Sequence, residues 1–141
     1  MPGYHTDRVS TELDYLMPQI TVDYSANLSD VFARRPFALA LHSLTVKVAG
    51  GSVADCKTRF RRLDEVYVAD GAPENALVHV QLGLLAGRTE AVKAELSAAV
   101  LDLLRTHMSG AADGPRPVVH ASVDVIELGA AYRKYVEARA F

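Results

Sequence analysis

The residues whose types and spacing could support chemistry are a few arginines and histidines, one cysteine and one proline. His120 and Asp124 alternate onto one side of a β-like run, VVHASVDVIEL, and two such groups could ligate a metal. A third ligand at matching spacing is missing, so the pair falls short of a metal motif. His79, also on a β-like run, reads as a hydrogen-bonded structural histidine. Cys56 is a lone thiol with no paired histidine motif, which argues against a nucleophile. Arg59, Arg61 and Arg62 read as a solvated strand face, and of the three only Arg59 is kept as an anion contact. Arg88, in LLAGRT, stands between a strand end and a helix start, where cations and backbone N–H donors collect around anions. LLAGR lacks the glycine spacing that cradles phosphates. Taken singly, these residues define no site.

The composition narrows the partners. A chain of 141 residues with half its residues apolar and 23% charged is sized and composed as one globular domain. Lys+Arg 15 against Asp+Glu 17 gives a net charge of -2, without the cationic surplus that nucleic-acid binding shows. The single cysteine cannot close an internal disulfide. The apolar runs are far shorter than the roughly 20 residues that span a bilayer, and the N-terminal stretch has no apolar signal core. No nucleic-acid and no membrane partner is expected, and the expected location is cytoplasmic. Asp7, Glu12 and Asp14 against Arg8 place the whole net charge in residues 1–17. The remainder is neutral, which leaves little repulsion between copies.

Those residues must be held by regular elements, and the apolar period marks them. Ile20, Val22 and Tyr24 alternate with polar residues, predicting a strand over 19–24. Pro36 suits the first turn of a helix over about 35–48, with Phe37, Leu41, Leu44 and Val48 as its apolar stripe and Gly50-Gly51 as its stop. The stretch 58–69 reads as a strand with a bulge or an edge position, closed by Asp70-Gly71. Residues 76–85 form the clearest strand. Thr89 caps a helix through Met108, residues 109–117 form a loop, and 118–128 make a last strand. A short tail helix from Ala130, carrying Tyr132, Tyr135 and Val136, is expected to close the chain. Residues 18–69 and 76–127 are thus two β-α-β units of equal length. Each unit pairs its strands in parallel, predicting an α/β (α+β) fold: a four-stranded sheet with both helices on one face. The other face is expected to carry leftover apolar surface among Ile20, Val22, Leu63, Leu82 and Val123, an invitation to self-association.

Four pieces in order, PQITVDYSANL, KTRFRRLDEVYVADG, ALVHVQLGLLAGRTE and SVDVIELGAAYRKY, resemble the tautomerase superfamily and most closely its 5-carboxymethyl-2-hydroxymuconate isomerase branch. The resemblance covers residues 17–141. It implies a tautomerase-like domain over 18–141, a homotrimer, no cofactor and no metal. It also implies a small carboxylate substrate: an unsaturated 2-hydroxy polycarboxylate isomerised to its 2-oxo form in aromatic acid catabolism. The family's base is an amino-terminal proline, which the resemblance places at Pro18. A secondary amine there is a free lone pair, and burial beside cations lowers its pKa toward neutrality. Arg88 matches a family arginine that holds substrate carboxylates. A second cationic position falls on Lys57, where the family more often has arginine. Lys57 keeps the charge and loses the bidentate fork; Arg59, two residues on, matches a further family arginine.

Residues 1–17 depart from the family. Behind Met17, the Pro18 nitrogen is an amide without a basic lone pair. Either the start belongs at Met17, whose removal would expose Pro18, or the extension is genuine and the chain is a non-catalytic binding or scaffold member. The first reading is favoured, because Pro18 keeps the family position with no gap to Arg88. Val9, Leu13 and Leu16 at helical spacing, with Ser10 as a cap, would let the extension fold onto the body.

Overall fold

A computed structural model describes residues 16–108 and 115–138. Alternation builds its four strands: β1 (Gln19–Ser25), β2 (Lys57–Leu63), β3 (Asn75–Leu84) and β4 (Val118–Glu127). Two helices connect them, α1 (Arg34–Ala49) after β1 and α2 (Glu90–Thr106) after β3. The sheet order is β2-β1-β3-β4, with β1 parallel to β2, β3 parallel to β4, and β1 antiparallel to β3. Each β-α-β unit therefore returns to the outer side of its own first strand, and the two units meet through β1 and β3.

Both helices lie over one face. Phe37, Leu41, Thr45 and Ala49 of α1 and Leu96, Val100 and Leu104 of α2 are buried against Ile20, Val22, Val78, Val80 and Leu82. The helix ends are secured locally. Thr89 Oγ1 accepts the Val92 N–H at 3.1 Å, the cap expected of a threonine before a helix. Gly50 and Gly51, at φ 91 and 87, turn the chain out of α1 through a region that side chains disfavour.

Three expectations change. The second strand stops at Leu63, because its one partner, β1, ends at the paired Ser25. Beyond that point an edge strand has nothing to bond to. The tail helix is absent: residues 128–138 contain a turn and irregular chain. Contacts distant in sequence stretch them out instead. Leu128 packs over Gly83, where an added Cβ would lie 2.8 Å from Leu128 Cδ2. Tyr132 then reaches Gln19, and Lys134 pairs with Asp55 at 2.8 Å. The tail is a strap across the end of the sheet at which Pro18 stands. Thirdly, the open face is mostly polar, with Leu77, Val118 and Ile126 scattered among the polar residues. Ile20, Val22, Leu82 and Val123 all belong to the helix side, and of the five only Leu63 alternates onto the other. That side carries Asp23 paired with Arg61 at 2.6 Å and His79 with Ser122 at 2.6 Å. The helical spacing proposed for Val9 and Leu13, its cap Ser10, and the loop positions 109–114 lie outside the described residues.

His42 of α1 bonds Thr58 Oγ1 of β2 at 2.8 Å, and burial holds its pKa below the usual 6.5. The unfolded chain thus takes up a proton that the folded chain resists. His42 contributes its stability above about pH 6.5, and that contribution is lost as pH falls through the folded value. Melting temperatures from pH 7 to pH 5 should fall less steeply in His42→Gln than in the parent; parallel curves would clear His42 of the effect.

Candidate functional site

Pro18 is buried at the head of β1. Its carbonyl accepts the Lys57 N–H at 3.2 Å, so the parallel pairing of β1 and β2 sets Lys57 directly beside it. The Lys57 ammonium donates to the Asp55 carbonyl at 3.2 Å. Arg59 follows two residues along β2, exposed on the open face, and its guanidinium donates to Gln19 Oε1. Gln19 Nε2 in turn donates to the Tyr132 hydroxyl at 3.0 Å. Lys57, Arg59 and the strap's Lys134 make a cationic rim along this edge, tempered by Asp55.

Arg88 reaches the same end of the sheet from the helix side. It is half-buried in the β3–α2 loop, and its Nε donates to the Ala49 carbonyl at 2.9 Å. That carbonyl ends α1, one of the groups a helix leaves without an internal partner. Arg88 therefore ties α1 to the loop after β3. The candidate cations divide between the two sides of the sheet, Lys57 and Arg59 on the open side and Arg88 on the helical side, with the start of β1 between them.

The residues ahead of Pro18 are part of this arrangement. Leu16 is fully buried and Met17 is 5% exposed. The Leu16 carbonyl accepts the Leu85 N–H at 3.0 Å, extending the β1–β3 pairing past the strand ends. Met17 has φ 47, unusual for a side-chain-bearing residue.

Gln19, Tyr132 and Lys134 are not among the candidate site residues that the sequence offers. Gln19 was visible as the first outward residue of β1, next to the Lys57-Thr58-Arg59 segment; Tyr132 is 113 residues away and carries no local signal. Tyr132→Phe removes the acceptor for Gln19. The expected cost is about 1 kcal/mol, read as a melting point lower by roughly 3 °C; an unchanged melting point would show the strap is not held there.

The other candidates settle into structural surroundings. His120 Nε2 meets Asn75 Oδ1 at 3.2 Å, and no group of three potential metal ligands occurs among the described residues. Cys56 is buried, and burial with the neighbouring Asp55 charge pushes its thiol up to about 11, disfavouring the thiolate. A cleft of about 420 Å³ between α2 and the start of β4, lined by Leu101, Leu104, Met108 and Val119, contains none of the candidate residues. No described helix is long and apolar enough to cross a membrane.

Comparison with known proteins bears on what this end of the sheet does. A family described as 5-carboxymethyl-2-hydroxymuconate isomerase matches residues 18–135, beginning at Pro18. No protein of curated function matches by sequence. Among solved structures, a 5-carboxymethyl-2-hydroxymuconate isomerase from Deinococcus radiodurans R1 is similar at 28% identity and TM-score 0.73, over 88% of this chain and 93% of that one. A 5-carboxymethyl-2-hydroxymuconate delta-isomerase shares the fold at 15% identity and TM-score 0.74, over 90% and 93% of the two chains. A fused 4-OT described as a symmetric trimer does so at 19% identity and TM-score 0.64, over 86% and 94%.

Proposed function

Since the chain belongs to the 5-carboxymethyl-2-hydroxymuconate isomerase family, we propose that it is an isomerase that converts an unsaturated 2-hydroxy polycarboxylate into its 2-oxo tautomer, with Pro18 as the base. The observation that carries this reading is the family match beginning at Pro18, the buried head of β1, with Lys57 alongside. With Pro18 as the first residue, its neutral amine takes the proton of the 2-hydroxyl. The O–H electron pair becomes the carbonyl π bond, and the conjugated system shifts toward the carbon that is protonated. The ammonium of Pro18 then returns the proton to that carbon. Atoms and electrons balance within substrate and base, so no cofactor enters the scheme.

Negative charge builds on the dienolate between the two transfers, and fixed cations there lower the barrier. Arg88 holds a carboxylate from the helix side, and Lys57 or Arg59 holds a second from the open side. The setting is the catabolism of an aromatic acid in the cytoplasm, and the working assembly is a homotrimer. Trimerisation then draws on the polar groups of the open face, on the scattered apolar residues Leu63, Leu77, Val118 and Ile126 that share it, and on strand edges.

A second reading is favoured by one observation. In the chain that retains Met17, the Pro18 nitrogen is an amide, and Leu16 and Met17 are buried in front of it. Such a chain would be an oligomeric binding or scaffold member without isomerase activity. Intact mass of the natively expressed protein, followed by ultraviolet assay of 2-hydroxymuconate and analogues with one, two or three carboxylates, tests both. A chain beginning at Pro18 that prefers two or three carboxylates supports the isomerase; a native chain carrying residues 1–17 and inert to every dienol supports the scaffold.

A further inference from the structure

We infer that Leu16 and Met17 form an internal plug: they fill the seat a carboxylate substrate would take beside Pro18, making the chain that retains them a self-blocked, latent form. The inference rests on the proposed isomerase reading and adds a built-in block to that site. The blocking role follows from how these two residues are held. Leu16 is 0% exposed and packs with the main core, although it lies ahead of the family-matched region. The opposing wall is shaped to receive it. A Cβ on Gly51 would lie 2.7 Å from Leu16 Cβ, too close for any side chain. The Leu16 carbonyl occupies the Leu85 N–H at 3.0 Å, a backbone donor aimed into the space ahead of Pro18. Without Leu16 that donor loses its partner, and an oxygen of a bound carboxylate can replace it. Met17, at φ 47 and 5% exposed, turns the chain inward from Pro18 so that Leu16 can reach the seat.

The block is thus twofold. The Met17–Pro18 amide removes the lone pair, and the Leu16 side chain and carbonyl remove the room and the donor. The two can be separated in the full chain. Leu16→Gly combined with Met17→Gly keeps the amide, removes both side chains from the seat, and frees the backbone so that a bound carboxylate can displace the residue-16 carbonyl from the Leu85 N–H. Muconate, a dicarboxylate without the hydroxyl, serves as the probe, followed by calorimetry and by the amide signals of Leu85 and Gly51. The double variant should bind muconate at least tenfold more tightly than the parent, shift the Leu85 amide on binding, and still leave 2-hydroxymuconate unconverted. Leu16→Ala, a milder cut, should give a smaller gain at the same amide and stands in if the double variant does not fold. Equal muconate affinity in parent and variants, or a gain that leaves the Leu85 amide unmoved, overturns the plug. The isomerase reading fails separately: a chain with Pro18 first that leaves every dienol unconverted would sink it, even where the opened variants bind muconate.

Discussion

In a chain with Pro18 first, Pro18→Ala should lower kcat for 2-hydroxymuconate by about 10²–10⁴-fold, the range general acid–base catalysis supplies, while KM changes little. The asymmetry follows from the assigned roles. In the proposed scheme Arg88 and Lys57 or Arg59 hold the carboxylates, and the substitution leaves them in place, whereas the proton-carrying atom is altered. Alanine still presents a terminal amine, but a primary one without the ring that holds the lone pair in line with β1. The parent's pH profile carries a second signature. The base works in its neutral form, so the rate rises with pH through the amine's pKa. Burial and nearby cations both penalise the ammonium, setting that inflection below the roughly 7.7–8.0 of an ordinary terminal amine. Ketonisation is followed by ultraviolet absorbance, with intact mass confirming each amino terminus. A Pro18→Ala chain at parental rates, or an inflection at or above the ordinary value, would move the proton to another group.

How far all this could be read from sequence depended on the range over which each feature is determined. The strands and helices announced themselves because period-two and period-3.6 patterns are local. Thr89 and Gly50-Gly51 marked helix ends for the same reason. The end of β2 did not, since it depends on where β1 runs out, some forty residues earlier. The strap reads locally as a helix but is extended, because Leu128, Tyr132 and Lys134 answer to Gly83, Gln19 and Asp55, contacts invisible to a sliding window. Counting apolar strand residues as a pool overstates the apolar share of the open face. Assigning each by parity places most of them under the helices. At the site, the position of Pro18 and the adjacency of Lys57 follow from a parallel β-α-β return. The burial of Leu16 could not be foreseen, because it depends on a glycine in a turn 35 residues on.

Arg88 offers the second large effect, and the two roles argued for it make the outcome divisible. One is visible: Nε caps the Ala49 carbonyl at the end of α1. The other is proposed: a carboxylate of the substrate. Arg88→Gln in a Pro18-first chain should cost roughly 1.5–3 kcal/mol of carboxylate binding, the scale for a hydrogen bond to a charged group. That corresponds to about 10–150-fold in kcat/KM. The loss should fall mainly on KM, since the carboxylate is charged in both ground and transition states. Losing the cap should also lower the melting temperature by a few degrees, roughly the effect of 1 kcal/mol. Arg88→Lys restores the charge without the planar fork, so it should recover part of KM and little of the melting temperature. Arg59→Gln, at an exposed position, should weaken dicarboxylates by less than Arg88→Gln and leave monocarboxylates nearly unaffected. Should Arg88→Gln lose melting temperature while kinetics on two- and three-carboxylate substrates stay parental, Arg88 is a helix cap alone. The carboxylate then belongs to the Lys57–Arg59 edge.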